Sequence, residues 1–298
     1  MASPPPPPGP PPPPPQPSQN RGIPLSQLPW ILTPHHPTPG TVRFIKLGGF
    51  SECDVPWNFV RGCFLIARIH AWVLLEEYNA GNLLLLNPPT QELLLLPRSL
   101  LAPRRVTCTA LLSMPPDGED FWLFLSEGNR IFAIMPRIGY WFLRSLYCDI
   151  ISMASTATTG DRRLLCLMKD LRLVMFDIST DRVTILGESP PANSVVPPCR
   201  ALEHFVILHQ GTRILVAVVL LSFVGLWLYM VRDRSWEPVG PDIVRNHVLV
   251  LVGGGHSFSF RAPRGQKGRR AYLVPSPAVY NGVESEWGSN PMWTTIDF

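Results

Sequence analysis

The chain has 298 residues, 46% of them apolar and only 16% charged, which allows a large buried core and excludes a wholly disordered protein. Its net charge of +4 is spread along the whole length, whereas nucleic-acid binders concentrate basic residues on one face. Three of the 26 basic residues are lysine (Lys46, Lys169, Lys267) and the other 23 are arginine, a bias that a GC-rich coding sequence would itself produce.

Residues 1–22 are almost pure proline, Pro4 to Pro8 and Pro10 to Pro15. Proline cannot donate backbone hydrogen bonds and favours a polyproline II rod, so a disordered, solvated tail is expected; a ligand for SH3-, WW- or profilin-like proteins is the functional alternative. The N-terminus lacks the basic region and apolar core of a secretory signal. An intracellular, reducing setting, cytoplasmic or nuclear, is therefore the expectation.

Residues 23–40 are expected to anchor the domain. Leu28-Pro29-Trp30-Ile31-Leu32-Thr33-Pro34 sets a Trp and an apolar pair between prolines, which suits an ordered, non-helical segment docked on a core. Short strands are predicted next, at Thr41 to Leu47, Cys63 to Arg68, Trp72 to Glu76, Leu83 to Leu86, Leu93 to Leu96, Val106 to Ser113, Phe121 to Ser126, Ile131 to Met135 and Tyr140 to Ser145. Turn signals separate them, among them Asn87-Pro88-Pro89-Thr90-Gln91, Pro115-Pro116-Asp117-Gly118 and Glu127-Gly128-Asn129.

The second half repeats this order. Arg163 to Met168, Leu171 to Asp177 and Val183 to Leu186 form another meander, and its middle strand ends at Phe176-Asp177-Ile178 as the earlier one ends at Leu86-Asn87-Pro88. No stretch of helical length shows convincing helical periodicity. About twenty short strands in residues 41–298 exceed a single sandwich, so the expected fold is an all-β β-propeller of five or six blades.

Ile214 to Val231 contains no charge over eighteen residues and competes as a membrane-spanning helix, which would make the protein membrane-anchored. Its β-branched first half and the turn residues Ser222 to Gly225 instead favour two strands of a buried blade, after a strand at Phe205 to Leu208.

Reactive chemistry is sparse. The six cysteines (Cys53, Cys63, Cys108, Cys148, Cys166, Cys199) show no Cys-x-x-Cys pair and no matching His spacing, so free thiols and neither metal nor cofactor are expected. His204 and His209, five apart, would point to opposite faces of one strand. Gly255-His256-Ser257 after an apolar strand resembles a hydrolase nucleophile elbow, which offers a serine-hydrolase alternative on Ser257. Against it, Ser259 stands where that turn needs glycine, and the run Ser257-Phe258-Ser259-Phe260-Arg261-Ala262 alternates like a strand and stops at Pro263 where the elbow needs a helix. Arg261, Arg264, Lys267, Arg269 and Arg270 form a local basic cluster, read as a solvated hairpin loop with an anionic partner as the alternative.

Several of these pieces together resemble the plant KIB-type β-propeller domain, which is often found behind an F-box. The matching residues are Trp30 within Leu28 to Leu32, Trp72 within Ala71 to Leu75, Asn87-Pro88-Pro89-Thr90 followed by Leu96-Pro97, Trp236 within Trp236 to Val239, Ser257-Phe258 within Leu251 to Phe260, and Tyr272 within Ala271 to Leu273. Ala71 and Val252-Gly253 depart from the family's usual Gly-Trp and Leu-Gly pairs. The resemblance implies a non-enzymatic protein-interaction propeller, like the target-holding half of plant F-box ubiquitin-ligase receptors. No F-box is seen, so protein partners are expected without direct contact to a ligase scaffold, and neither nucleic acid nor membrane is expected as a partner.

Overall fold

A computed structural model describes residues 29–32, 40–47, 51–69, 71–77, 80–97, 109–113, 116, 121–155, 163–189, 202–210, 213–220, 225–240, 242–253, 257–262, 270–274 and 294–297. The proline-rich stretch 1–22, the Pro115 and Asp117-Gly118 turn residues, Ser222 to Val224, His256 and the basic residues from Arg264 to Arg269 lie outside them, as do Cys108 and Cys199.

The described residues form strands and one short 3-10 turn, Trp57–Phe59. Sheet 1 contains β1 (Trp30–Leu32), β2 (Thr41–Lys46) and β3 (Glu52–Pro56); sheet 2 contains β4 (Cys63–Ile69), β5 (Trp72–Glu77), β6 (Leu83–Asn87) and β7 (Glu92–Leu95). Sheet 3 is built from β8 (Thr109–Leu112), β9 (Leu123–Glu127), β10 (Arg130–Ile134) and β11 (Trp141–Ser145). Sheet 4 is built from β12 (Ile150–Ser155), β13 (Arg163–Met168), β14 (Leu173–Asp177) and β15 (Arg182–Gly187). Then come β16 (Leu202–His209), β17 (Arg213–Leu220), β18 (Gly225–Arg232) and β19 (Ser235–Pro238) as sheet 5, and β20 (His247–Val252), β21 (Phe258–Arg261), β22 (Arg270–Val274) and β23 (Thr294–Asp297) as sheet 6. One parallel pairing, Leu208 with Phe258, joins these last two sheets.

Six apolar clusters lie between successive sheets and close them into a ring. Trp30, Val42, Phe44 and Val55 meet Val73, Leu75, Leu84 and Leu86 between sheets 1 and 2. Trp72, Leu74 and Leu85 meet Leu112, Leu123 and Phe132 between sheets 2 and 3. Phe124 and Ile131 meet Met153 and Cys166 next, then Leu165 and Leu167 meet Val206 and Val216. Phe205 and Leu215 meet Leu249 and Leu251, and finally Val250, Val252 and Val274 meet Ile31 and Leu47 of sheet 1. The ring of six is a β-propeller, as the sequence led us to expect, with β4, β8, β12 and β16 adjacent around its centre.

This arrangement explains the apolar runs. A blade's middle strands are covered on both faces, so Val73 and Leu75 serve one seam while Trp72 and Leu74 serve the next, and no polar alternation is needed. The membrane-like stretch is the same device at greater length. Leu215, Ala217 and Val219 of β17 face blade 6, Val216 and Val218 face blade 4, and β17 pairs with β18 from Leu215–Met230 to Leu220–Gly225. The spanning-helix alternative for residues 214–231 thus gives way to two antiparallel strands, and no helix among the described residues is long and apolar enough to cross a membrane.

The recurrence seen in sequence is a recurrence of structure. Asn87 pairs with Glu92 across the β6–β7 turn, and Asp177 pairs with Arg182 across the β14–β15 turn. Each turn ends on a left-handed residue, Gln91 at φ 57° and Asp181 at φ 54°. Strands β1, β3, β12, β19, β22 and β23 were not among those predicted as strands. In β12 the serines Ser152 and Ser155 interrupt the apolar pattern, yet both are buried, and the Ser152 hydroxyl accepts the Val206 N–H of the next blade at 3.0 Å. Blade 6 also departs from a simple meander, because β20 pairs parallel with β22 and β21 takes the position beside β16.

Candidate interaction surface

Large apolar side chains stay exposed on the outermost strands of blades 2 to 4. Cross-strand register fixes their directions, since paired residues share a face. Phe142 pairs with Ala133, which belongs to the seam between blades 3 and 4; Trp141 pairs with Ile134 and turns to the seam with blade 2. Val183 on β15 pairs with Phe176, again on the seam between blades 3 and 4. Phe142 and Val183 therefore flank the outer end of one seam.

Tyr140 packs against Phe142 with ring centroids 4.9 Å apart, and Phe142 packs on Trp122 at 5.6 Å. Trp122 is buried, but Tyr140 is 57% exposed and Leu143, on the opposite face of β11, is 54% exposed. Arg144 crosses the seam to Asp181 at 3.0 Å, which ties the two outer strands together beside the aromatic pair. At the other end of β11 Tyr147, 51% exposed, carries Arg172 over its ring at 4.4 Å, and Asp170 holds that guanidinium through a bond of 2.7 Å to Nε. Exposed Tyr140 and Phe142 over a buried Trp match the aromatic enrichment of protein-interface centres.

The motif residues named from the sequence have structural places. Trp30 is buried under the Lys46 ammonium, 5.2 Å from its ring, and burial holds the Lys46 amine below its usual range. Trp72 lies between blades 2 and 3. Asn87 and Pro88 close β6, and the Thr90 hydroxyl accepts the Glu92 N–H at 3.3 Å. The Pro97 carbonyl accepts the indole N–H of Trp141 at 3.0 Å, and the Glu188 carbonyl accepts that of Trp236 at 2.6 Å. Both bonds run from a blade's outer strand to the chain leaving the preceding blade's outer strand. Phe258 packs between blades 6 and 1, and Tyr272 pairs with Val250 and Thr295.

Ser257 is 1% exposed and its hydroxyl accepts the Val252 N–H at 3.0 Å, while β21 begins at the next residue. A buried turn-closing serine followed by a strand lacks the exposed Oγ and helix of a nucleophile elbow. Burial also pushes the thiols of Cys53 and Cys166 up to about 11 and about 12, which leaves them unreactive protonated groups.

Sequence spacing missed one close titratable pair. His209 is fully buried, its Nδ1 shares a 2.8 Å hydrogen bond with Ser259 Oγ, and its ring meets that of His247 edge-on at 4.5 Å. Its Nε2 and the Nδ1 of His247 have no hydrogen-bond partner. Among the described residues no three His, Cys, Asp or Glu side chains gather as a metal site. The pair forms where β21 lies beside β16, a pairing that no local pattern in the sequence announces.

No protein-family model matches the chain, and no curated protein matches it. Among solved structures it is similar to AztD from Citrobacter koseri (12% identity, TM-score 0.38, 70% of this chain and 57% of that one). It is likewise similar to the WD40 domain of SCAP from fission yeast (13%, 0.40, 78% and 50%) and to the N-terminal domain of Nup159 (13%, 0.37, 67% and 56%). The chain thus spans between half and three-fifths of those structures' length, and likenesses this low carry no argument about what it binds.

Proposed function

We propose that the chain is a non-enzymatic protein-interaction propeller of the plant KIB type, and that it binds a protein partner through the outer seam of blades 3 and 4. The observation that carries this is the exposed Tyr140–Phe142 pair over Trp122, with Val183 across the same seam and Leu143 exposed on the opposite face of the same outer strand. The part of this cluster left open to water is costly to expose, while a partner that covers it gains the hydrophobic term. The KIB-type motifs support a role like that of the target-holding half of an F-box receptor, acting in the cytoplasm or nucleus. Ser257 supports no hydrolase, because its hydroxyl is already used by the Val252 amide.

A photo-crosslinking residue placed at Tyr140 or Leu143 in the full chain, expressed in plant cells, tests the proposal. One and the same partner protein captured from both positions, absent from a control at Arg232 and lost with Phe142→Ser, is the expected result. Equal capture at all three positions, or retention of the partner by Phe142→Ser, overturns it.

A further inference from the structure

Blade 1 ends at β3, whereas the other blades carry a fourth strand among the described residues. The consequence falls on its neighbour. Leu95 pairs with Leu84 and Leu93 with Leu86, so all four leucines share the face of blade 2 that looks toward blade 1. Leu84 and Leu86 are buried beneath Val42, Phe44 and Val55. Leu93 and Leu95, one strand further out, are 41% and 63% exposed, and among the described residues blade 1 has no strand at their level.

The edge beside them is chemically specific. Among the described residues β3 pairs with β2 alone, so half of its backbone N–H and C=O groups face outward as a template for another extended chain, from Glu52 as far as Pro56, which has no N–H to give. The two faces of a strand added there would differ. One would lie on Leu93 and Leu95. The other would lie beside Glu52 and Asp54, which share the single guanidinium of Arg43 at 3.2 and 2.8 Å, leaving one carboxylate charge uncompensated.

We infer that β3 is a docking edge for an extended segment of a partner protein, four or five residues alternating apolar with basic, which pairs as the fourth strand of blade 1. Backbone pairing supplies the affinity and the two unlike faces supply the register, as in β-strand addition. The site lies on other blades than the Tyr140–Phe142 seam and rests on different observations, so either proposal can fail without the other.

The test uses the full chain and two capped nine-residue peptides, one alternating valine with lysine and one alternating valine with glutamate. With the lysine peptide, hydrogen exchange at the amides of Glu52 to Val55 is expected to slow saturably, even though the chain carries a net charge of +4 that repels it overall. The glutamate peptide is expected to bind roughly tenfold more weakly or worse, and the double variant Leu93→Ser/Leu95→Ser to weaken the lysine peptide by a similar factor. Both leucines are exposed, so that variant keeps its fold, which its unfolding midpoint verifies. Four results overturn the inference: no protection by the peptide; equal binding of both peptides; unchanged affinity of the double variant; or those β3 amides that face away from β2 already protected in the free chain, whether by its own segment or by a second copy.

Discussion

Acidification should destabilise this propeller through His209, and the size of the effect follows from its surroundings. Burial holds the imidazole pKa down to about 4, with His247 and Arg213 adding repulsion and the Ile243 backbone opposing only in part. An unfolded histidine titrates near 6.5. The folded value is the lower one, so the neutral ring's contribution is fully present above pH ~6.5 and is lost as pH falls toward 4. Linkage sets the full contribution at roughly 3 kcal/mol, of which about 2 kcal/mol has gone by pH 5. His247 and His204 are shifted in the same direction by burial and add to the loss. Glu203 and Glu76, raised by burial, act in the opposite sense, because protonating them favours the fold. Asp54, Asp170 and Asp177 are lowered and matter only in more acidic solution. Urea unfolding at pH 7, 6 and 5 should show the wild-type chain losing about 2 kcal/mol more than His209→Gln, equivalent to roughly 4–8 °C in Tm. Glutamine keeps a partner for Ser259 Oγ but cannot take up a proton. Parallel pH curves for the two proteins would refute the argument, since the shift would then reside elsewhere.

Ser152→Ala should cost about 1–3 kcal/mol in urea unfolding, because the buried Val206 N–H loses its acceptor; Ser152→Thr should lose less. Gly187→Ala should cost about 1–3 kcal/mol, since a Cβ there would sit 2.8 Å from Val231 Cγ1, with Trp236 Nε1 at 3.4 Å and Leu173 Cβ at 3.5 Å also near. A stability unchanged by either substitution would mean that the seam between blades 4 and 5 yields more easily than its packing implies.

The strands themselves were legible because each blade is local. Trp72 to Leu96 and Arg163 to Leu186 announce meanders through turn residues and apolar runs only a few positions apart, and the pairing of Asn87 with Glu92 and of Asp177 with Arg182 depends on nothing distant. Two-sided burial was also legible, since an unbroken run such as Val73 to Leu75 can only be a strand covered on both faces or a helix, and its length excluded a free-standing helix. The boundaries shifted by up to three residues, as at Leu202 for β16, and β12 escaped because its Ser152 is satisfied across the seam by a blade that begins fifty residues later.

Exposure was not legible at all. Trp141-Phe142-Leu143 on β11 reads like Leu84-Leu85-Leu86 on β6, yet the first is largely exposed and the second buried. The difference is position within the blade: β6 is enclosed by β5 and β7 and by its neighbours' matching strands, whereas β11 has a sheet partner on one side only. The same holds for His209 and His247, which meet because β20 and β21 fold back beside β16, and for Leu93 and Leu95, whose exposure depends on a strand count in another blade. Sequence by itself determined that the chain is all-β and where its local meanders lie, because hydrogen-bonded meanders are short-range. Closure of the ring alone decided which strand is outermost and which apolar face stays bare, because burial there is set by residues distant in the chain.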